Sequence, residues 1–237
     1  MKIEKKVIAI PARLESKRLP NKLLEKINSK PIIELVIEQC LKVTGIHEIF
    51  LCTDSLVLKN LGEKLGIKVL MTSKNCNSGT QRISSVLDQV LMESWLLSDF
   101  KDLDPKIKNE IMKKTLVINV QGDQPFLNPR FIDNLINQFD NKSDNVSVIT
   151  PVYKLESKDI HKPDVVKAII NNKKKIIYFS RSPIPYVRDV ENSEWNIHND
   201  FYGHVGIYGF RANILFNWNL FEDSKYFIAN SELFKSK

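Results

Sequence analysis

The stretch that most constrains this chain is Val7-Ile-Ala-Ile-Pro-Ala-Arg-Leu-Glu-Ser-Lys-Arg-Leu-Pro-Asn-Lys22. It begins as an apolar, β-prone run from Val7 to Ile10, breaks at Pro11, and becomes a loop carrying Arg13, Lys17, Arg18 and Lys22. A buried strand that runs into a polar loop is how an open α/β sheet makes a ligand site at the carboxyl end of its first strand. The cations suit an anion, since arginine brings a bidentate fork and lysine a mobile point charge. A charge run is also a common solvated face, so the loop takes its meaning from what the chain places beside it. No G-x-G-x-x-G or G-x-x-x-x-G-K-[ST] occurs, and no glycine precedes Gly45. Phosphate binding here would therefore rest on side chains and a few backbone amides. Pro20 fixes its own φ and pushes Leu19 to an extended form, while Asn21 tolerates a left-handed turn.

Beyond the loop, Pro31 fits the first position of a helix whose apolar face is Ile32, Ile33, Leu35, Val36, Ile37, Cys40 and Leu41, ending near Gly45. A buried strand follows from Glu48 to Asp54, then a helix over 55–65 that stops at Gly66, then a short strand from Ile67 to Met71. This β-α-β-α-β order predicts a parallel sheet with helices on its faces. Residues 93–114 read as a charged surface extension of short helices, Leu116–Val120 as a buried strand, Pro129–Phe139 as a helix and Val146–Val152 as a strand. The pattern then changes. Val165–Ile170 and Ile176–Ser180 read as a hairpin, 181–186 as an extended segment with two prolines, 187–201 as a loop, and Tyr202–Arg211 as one glycine-rich strand.

Two turns share the sheet edge of the cationic loop. In Asn77-Ser-Gly-Thr-Gln-Arg-Ile-Ser84, Ser78 or Thr80 suits a helix cap and Gly79 lets a ligand approach. Arg82 lies in the first helical turn, where a cation is disfavoured, a placement that points to a ligand for it to bind, against the plain reading of the segment as a helix cap. After the Leu116–Val120 strand, Gln121-Gly-Asp-Gln-Pro125 presents Asp123, a carboxylate suited to Mg²⁺ shared with substrate phosphates, although aspartate in a turn is common for structural reasons. His204 and Tyr208 have the even spacing that puts them on one strand face.

Composition narrows the classes. At 237 residues with 43% apolar content, one domain with a real core is expected, and the net charge of +7 suits a polyanionic ligand. Charge alone would admit nucleic acid, but neither an aromatic RNA signature nor zinc-finger spacing accompanies it, so no nucleic-acid partner is expected. Cys40, Cys52 and Cys76 form no CxxC pair, which argues for a reducing compartment without a disulfide framework. The apolar stretch before Pro11 is too short to span a membrane and Arg13 follows too soon for a signal peptide. A cytoplasmic protein with no membrane insertion is expected.

Ile10-Pro-Ala-Arg-x-x-Ser-x-Arg-Leu-Pro-x-Lys22 resembles the CTP-binding signature of sugar-acid cytidylyltransferases. Ser78-Gly-Thr-Gln-Arg82, Val120-Gln-Gly-Asp-Gln-Pro125, Tyr178-Phe-Ser-Arg-x-x-Ile-Pro185 and His204-Val-Gly-Ile-Tyr-Gly-Phe-Arg211 narrow the resemblance to the CMP-Kdo synthetase family, the 3-deoxy-manno-octulosonate cytidylyltransferases. The resemblance runs in order over roughly residues 6–211. It implies a doubly wound, mainly parallel α/β sheet of the nucleotide-diphospho-sugar transferase type with a small antiparallel dimerisation excursion at about 150–205. It implies an enzyme that joins CTP to a sugar acid, with release of pyrophosphate, for lipopolysaccharide or capsule biosynthesis. By motif, Arg13, Lys22 and Asp123 would be catalytic. Pro11, Ala12, Ser16, Arg18, Ser78 and Arg82 would join Arg13 and Lys22 in holding the nucleotide. Gln121, Gln124, Arg181, His204 and Tyr208 would line the sugar-acid pocket, and Asp123 would bind the Mg²⁺ cofactor. A homodimer is expected. Gln81 and Gln124 stand where the family commonly has Glu, and Asn21 where it often has Gly. The family pattern continues through a Glu-rich helix to a late Gly-x-Asp, whereas no Asp follows Asp223 here, so 1–237 reads as a single domain without that last part. Two other readings stand beside this one: a cytidylyltransferase for a different sugar acid, and a catalytically impaired nucleotide-binding homologue.

Overall fold

The structure, a computed structural model, describes residues 2–15, 19–141, 146–218 and 231–235. The first strand, β1 (Lys5–Ala12), is buried on both faces from Val7 onward. It runs through Pro11 rather than breaking there, because the proline's missing N–H faces the side that β1's neighbour has left. Ala9 O still accepts from Val120 N at 3.1 Å, but the ladder on that side ends at Ala9, while the opposite ladder continues through Pro11 and Ala12. The loop then closes on a 3₁₀ turn at Lys22–Leu24, entered by Asn21 at φ 57°, the left-handed form expected of it. A miniature hairpin, β2 (Lys26–Ile27) and β3 (Lys30–Pro31), turns through Asn28 and Ser29, both at positive φ as a type I′ turn requires.

Helix α1 (Ile32–Cys40) starts one residue later than expected, with Pro31 as its cap, and ends well short of Gly45. Thr44 beyond it is held by Asp133, whose Oδ1 accepts from both its N–H and its hydroxyl at 3.1 and 3.0 Å. Strand β4 (Glu48–Thr53), helix α2 (Leu56–Lys64), capped by Ser55 Oγ, and strand β5 (Lys68–Met71) follow as expected. Helix α3 (Gly79–Ser84) leads into α4 (Leu87–Trp95) and α5 (Pro105–Lys114), the last capped by Asp104 with proline at its first position. The 93–114 segment is more than a surface extension, because Phe100, Ile111 and Met112 are buried in the core. Then come the wholly buried β6 (Thr115–Asn119), α6 (Pro129–Asn141), β7 (Val148–Lys154) and the short α7 (Ser157–Ile160). The expected hairpin is β8 (Lys167–Ile170) with β9 (Ile176–Ser180).

Two further expectations are corrected. The 187–201 loop holds a 3₁₀ turn and helix α8 (Trp195–His198), organised by Trp195, which is buried, donates its indole N–H to Val190 O at 3.2 Å and stacks on Phe201. The glycine-rich strand is two strands, β10 (Tyr202–His204) and β11 (Tyr208–Arg211). They flank β7 on its two edges, so the chain crosses it at Val205–Ile207. Val205 N donates to Pro151 O and Thr150 Oγ1 donates to Ile207 O at the crossing. Helix α9 (Ala212–Phe216) and β12 (Ser231–Lys235), parallel to β7, complete the described chain.

The strands form one sheet in the order β5-β4-β1-β6-β11-β7-β10-β8-β9, with β12 beside β7. Its β5-β4-β1-β6 portion is parallel, and the antiparallel excursion extends the same sheet outward. One apolar cluster, fed by α1, α2 and α6, covers one face; a second, fed by α3, α4, α5 and α9, covers the other. At the outer edge, Phe179 and Val165 of the hairpin region find cover within the chain, whereas Ile177 stays 51% exposed and Tyr178 60%.

The start of β6 depends on one hydroxyl. Thr115 Oγ1, fully buried, donates to Ile111 O at 2.7 Å and accepts from Trp95 Nε1 at 2.8 Å. Thr115→Val keeps the shape and removes both bonds, and is expected to lower stability by about 1–3 kcal/mol. Urea unfolding of the two proteins, with an unchanged m-value, checks this.

Candidate functional site

At the carboxyl ends of β1 and β6 a cleft of about 250 Å³ collects Pro11, Ala12, Arg13 and Lys22 from the first strand and its loop, Ser78 and Arg82 from α3, and Gln121 and Asp123 from the turn after β6. Eight of the expected site residues thus come together from three separate segments. Ser16 and Arg18 lie outside the described residues. The floor is closed by two close approaches to Pro11. A Cβ on Gly79 would stand 2.9 Å from Pro11 Cγ, and one on Gly122 would stand 3.2 Å from both Pro11 O and Ile33 Cδ1. A side chain at Gly79 would force Pro11 to shift, and one at Gly122 would fit only if its neighbours gave by a few tenths of an ångström; neither glycine has a positive φ that would call for it on turn grounds.

Charge is distributed unevenly. Lys22 Nζ lies 2.8 Å from Asp123 Oδ2, and both side chains remain about two-fifths to one-half exposed, at 40% and 46%. A pair this wet holds its two charges loosely, so each can turn to a ligand. Arg82 is different. It is 2% exposed, and its guanidinium donates to Asp54 Oδ2 at 3.0 Å, to Ser73 O at 3.3 Å and to the Thr72 hydroxyl. The partner that its adverse place in the helix called for is therefore inside the chain. Ser78 performs the cap, accepting from Gln81 N at 3.0 Å, and Gln81 Oε1 in turn accepts from the N–H of Asn77, the residue before the cap.

The expected sugar-side residues sit along the sheet next to this cleft. His204 and Tyr208 meet, ring centroids 5.0 Å apart, although they belong to different strands. Phe179 packs on the other side of His204 at 4.6 Å. Thr150 Oγ1 spends its only proton on Ile207 O at 2.6 Å, so at 2.7 Å from His204 Nε2 it accepts. The imidazole then carries its hydrogen on Nε2 and keeps Nδ1 as an acceptor. Burial pushes His204 down to about 4 and the Tyr208 phenol up to about 12, so both are neutral at pH 7. Gln124 Nε2 donates to Val205 O at 2.8 Å and so braces the crossing between the two rings' strands. A glutamate there would bring an acceptor to an acceptor. Arg181, one residue past β9, is exposed and donates Nη1 to Pro163 O at 2.9 Å. It does not line the cleft.

Several residues went unassigned in the sequence reading. Asn119 is fully buried, sits opposite Tyr208 in the β6–β11 ladder, donates Nδ2 to Thr80 Oγ1 at 3.2 Å and accepts from Gln121 Nε2 at 3.1 Å. It ties α3, the Gln121 turn and the Tyr208 strand at one amide. An amide within the apolar run Leu116-Val-Ile-Asn-Val120 was the available signal. Asp54 and Thr150 gave weaker ones, being a polar strand end and a hydroxyl in a β-prone run. Among the described residues no three His, Cys, Asp or Glu side chains form a metal cluster. Among the described residues Asp123 is the carboxylate that the cleft presents, a donor set that fits a Mg²⁺ whose remaining oxygens come from phosphates and water.

A family model described as cytidylyltransferase matches residues 7–233. A 3-deoxy-manno-octulosonate cytidylyltransferase of Thermodesulfovibrio yellowstonii is 34% identical over 212 residues, 90% of this chain and 77% of that protein. An 8-amino-3,8-dideoxy-manno-octulosonate cytidylyltransferase of a Shewanella species is 36% identical, over 88% of this chain and 76% of that protein. Among solved structures, a CMP:2-keto-3-deoxy-manno-octonic acid synthetase complexed with CTP superposes with a TM-score of 0.77 at 29% identity, over 98% of this chain and 90% of that one.

Two outcomes follow for stability. Asp54→Ala strands the buried Arg82 guanidinium without its carboxylate, and a loss of about 3–5 kcal/mol is expected in urea unfolding. His204 acts through pH. Below about pH 6.5 the unfolded chain takes up a proton that the folded imidazole refuses until about 4. Stability is therefore fully present above the unfolded value and is lost as pH falls through that window, by at most roughly 3 kcal/mol. Unfolding free energies from about pH 7 to pH 4.5 should show this slope in the parent and lack it in His204→Gln.

Proposed function

This chain belongs to the cytidylyltransferase family, and we propose that it activates a sugar acid of the 3-deoxy-manno-octulosonate type with CTP. The anomeric hydroxyl of the sugar acid attacks the α-phosphorus of CTP, the bond to the β-phosphate breaks, and CMP-sugar and pyrophosphate result, with the hydroxyl proton passing to solvent. The observation that carries this reading is the convergence of Arg13 and Lys22, from the loop after β1, with Asp123, from the turn after β6, in one cleft. Phosphoryl chemistry of this kind asks for positioning and charge neutralisation more than for covalent help. Arg13 and Lys22 take the triphosphate. Ser16 and Arg18 are assigned to the same phosphate group by their motif. Pro11, Ala12, Ser78 and the Arg82 region shape the nucleotide's bed. Asp123 would hold Mg²⁺, which supplies charge neutralisation at the phosphates. The Lys22–Asp123 contact keeps a cation and an anion in place until the nucleotide's phosphates take up the first.

The sugar acid is assigned to Gln121, Gln124, Arg181, His204 and Tyr208. A neutral His204 with a bare Nδ1 accepts from a sugar hydroxyl, and the Arg181 fork matches the carboxylate. A homodimer through the exposed Ile177–Tyr178 edge of β9 covers an otherwise unpaired sheet edge. A cytoplasmic location fits three free, buried cysteines, and no helix among the described residues is long and apolar enough to cross a membrane. The product would feed lipopolysaccharide or capsule assembly.

Pyrophosphate release with CTP, Mg²⁺ and either 3-deoxy-manno-octulosonate or its 8-amino-8-deoxy counterpart tests the reading. Release with neither acid would sink it; release with one sets the preference at carbon 8. Lys22→Ala is expected to weaken CTP binding by about 1.5–3 kcal/mol in titration calorimetry. Asp123→Asn should bind CTP and fail in turnover.

A further inference from the structure

Lys167 opens β8 and is 1% exposed, yet it faces no carboxylate among the described residues. Its ammonium donates to Lys162 O at 2.7 Å, Val165 O at 2.8 Å and Arg181 O at 2.8 Å. Three protons meet three acceptors, so the group is satisfied entirely by backbone. The Arg181 guanidinium takes a further carbonyl of the same loop, Pro163 O, at 2.9 Å. Two cations thus share the 162–165 loop, and through Lys167 that loop is fastened to the main chain of Arg181. The same corner holds the neighbouring ring, because Lys167 stands opposite Gly203 in the ladder and Val166 O accepts from His204 N at 2.9 Å.

Packing alone does not call for this arrangement. An unbranched apolar side chain would fill the same space but leave Lys162 O, Val165 O and Arg181 O without this donor. Burial and the adjacent Arg181 both make the protonated form harder to keep. What only an ammonium does here is gather three carbonyls that arrive from two directions. We propose that Lys167 is a positioning residue for the sugar-acid half of the site, fixing the main chain of Arg181 against the 162–165 loop so that its guanidinium meets the substrate carboxylate from one set direction. The proposal rests on the reading of Arg181 as the residue that takes that carboxylate. Lys167 itself touches no substrate.

Steady-state kinetics with CTP, Mg²⁺ and the sugar acid separate the possibilities when Lys167→Met, Lys167→Gln and Arg181→Ala are compared with the parent, each also titrated with CTP. The expected result is a sugar-acid KM raised at least tenfold in Lys167→Met, with kcat within about threefold and CTP affinity within about twofold. Lys167→Gln, which keeps two donors on a shorter arm, should fall between. If Arg181→Ala raises the KM and neither Lys167 variant does, the link between the two residues is wrong. If CTP affinity falls in step with the sugar-acid KM in both Lys167 variants, the ammonium is a general structural prop and the proposal fails. If Arg181→Ala leaves the KM unchanged, the assignment of Arg181 is at fault and the proposal falls with it.

Discussion

The packing around Pro11 is the constraint on which the rest of the molecule depends. β1 is buried on both faces and lies between β4 and β6, so its carboxyl end is where two halves of the sheet must separate to leave a cleft. The separation occurs after Ala9, where β6 leaves the ladder and the proline has no N–H to lose. Two backbones without side chains then press on Pro11 from α3 and from the Gln121 turn. Larger residues at either glycine would push the anion-binding loop and the Asp123 turn apart. The cleft is therefore a consequence of strand order and of two missing Cβ atoms.

Much of this was legible because the signals were local and redundant. The strand that opens at Val7, the Ser78 cap, the positive-φ Asn21 and the β-α-β-α-β order each rest on a few adjacent residues, and each agrees with its neighbours, whereas the end of that strand falls past Pro11 because β4 still pairs there. What escaped was non-local. Nothing near residues 202–211 says that the strand must jump across β7, where Thr150, 57 residues before Ile207, donates its hydroxyl to Ile207 O. The helix end at Cys40 owes something to Asp133, and the order within 187–201 to a tryptophan that needed a core. Arg82 was read as a residue in search of a ligand because Asp54 and Thr72 are distant in sequence and adjacent only once β4 and β5 pair.

The same non-local logic joins the two halves of the proposed site. The nucleotide side is built on ends of parallel strands, which are covered on both faces and stiff. The sugar side is built on antiparallel strands that extend the sheet toward an edge. Asn119 is the seam. Its amide reaches Thr80 on one side and Gln121 on the other, and its backbone lies opposite Tyr208. A buried amide of this kind has little freedom to choose partners, because leaving any of its polar atoms unpaired in the core is costly.

The two sides also differ in how they hold charge, and that difference bears on the chemistry. On the nucleotide side the exposed Lys22–Asp123 pair is weak and exchangeable, while Arg82 is neutralised by Asp54 and contributes shape more than field. On the sugar side the aromatic groups are held neutral by burial, and Lys167 is satisfied by carbonyl dipoles alone. In the proposed site a triphosphate would meet cations that can follow it, whereas a sugar acid would meet the Arg181 fork at its carboxylate and, elsewhere, uncharged hydrogen-bonding groups fixed by burial. In-line attack needs one partner held still while charge on the other is redistributed. On the proposed assignment, this division would put the fixed geometry around the attacking hydroxyl and the adaptable charge around the phosphates, where negative charge moves toward the departing pyrophosphate.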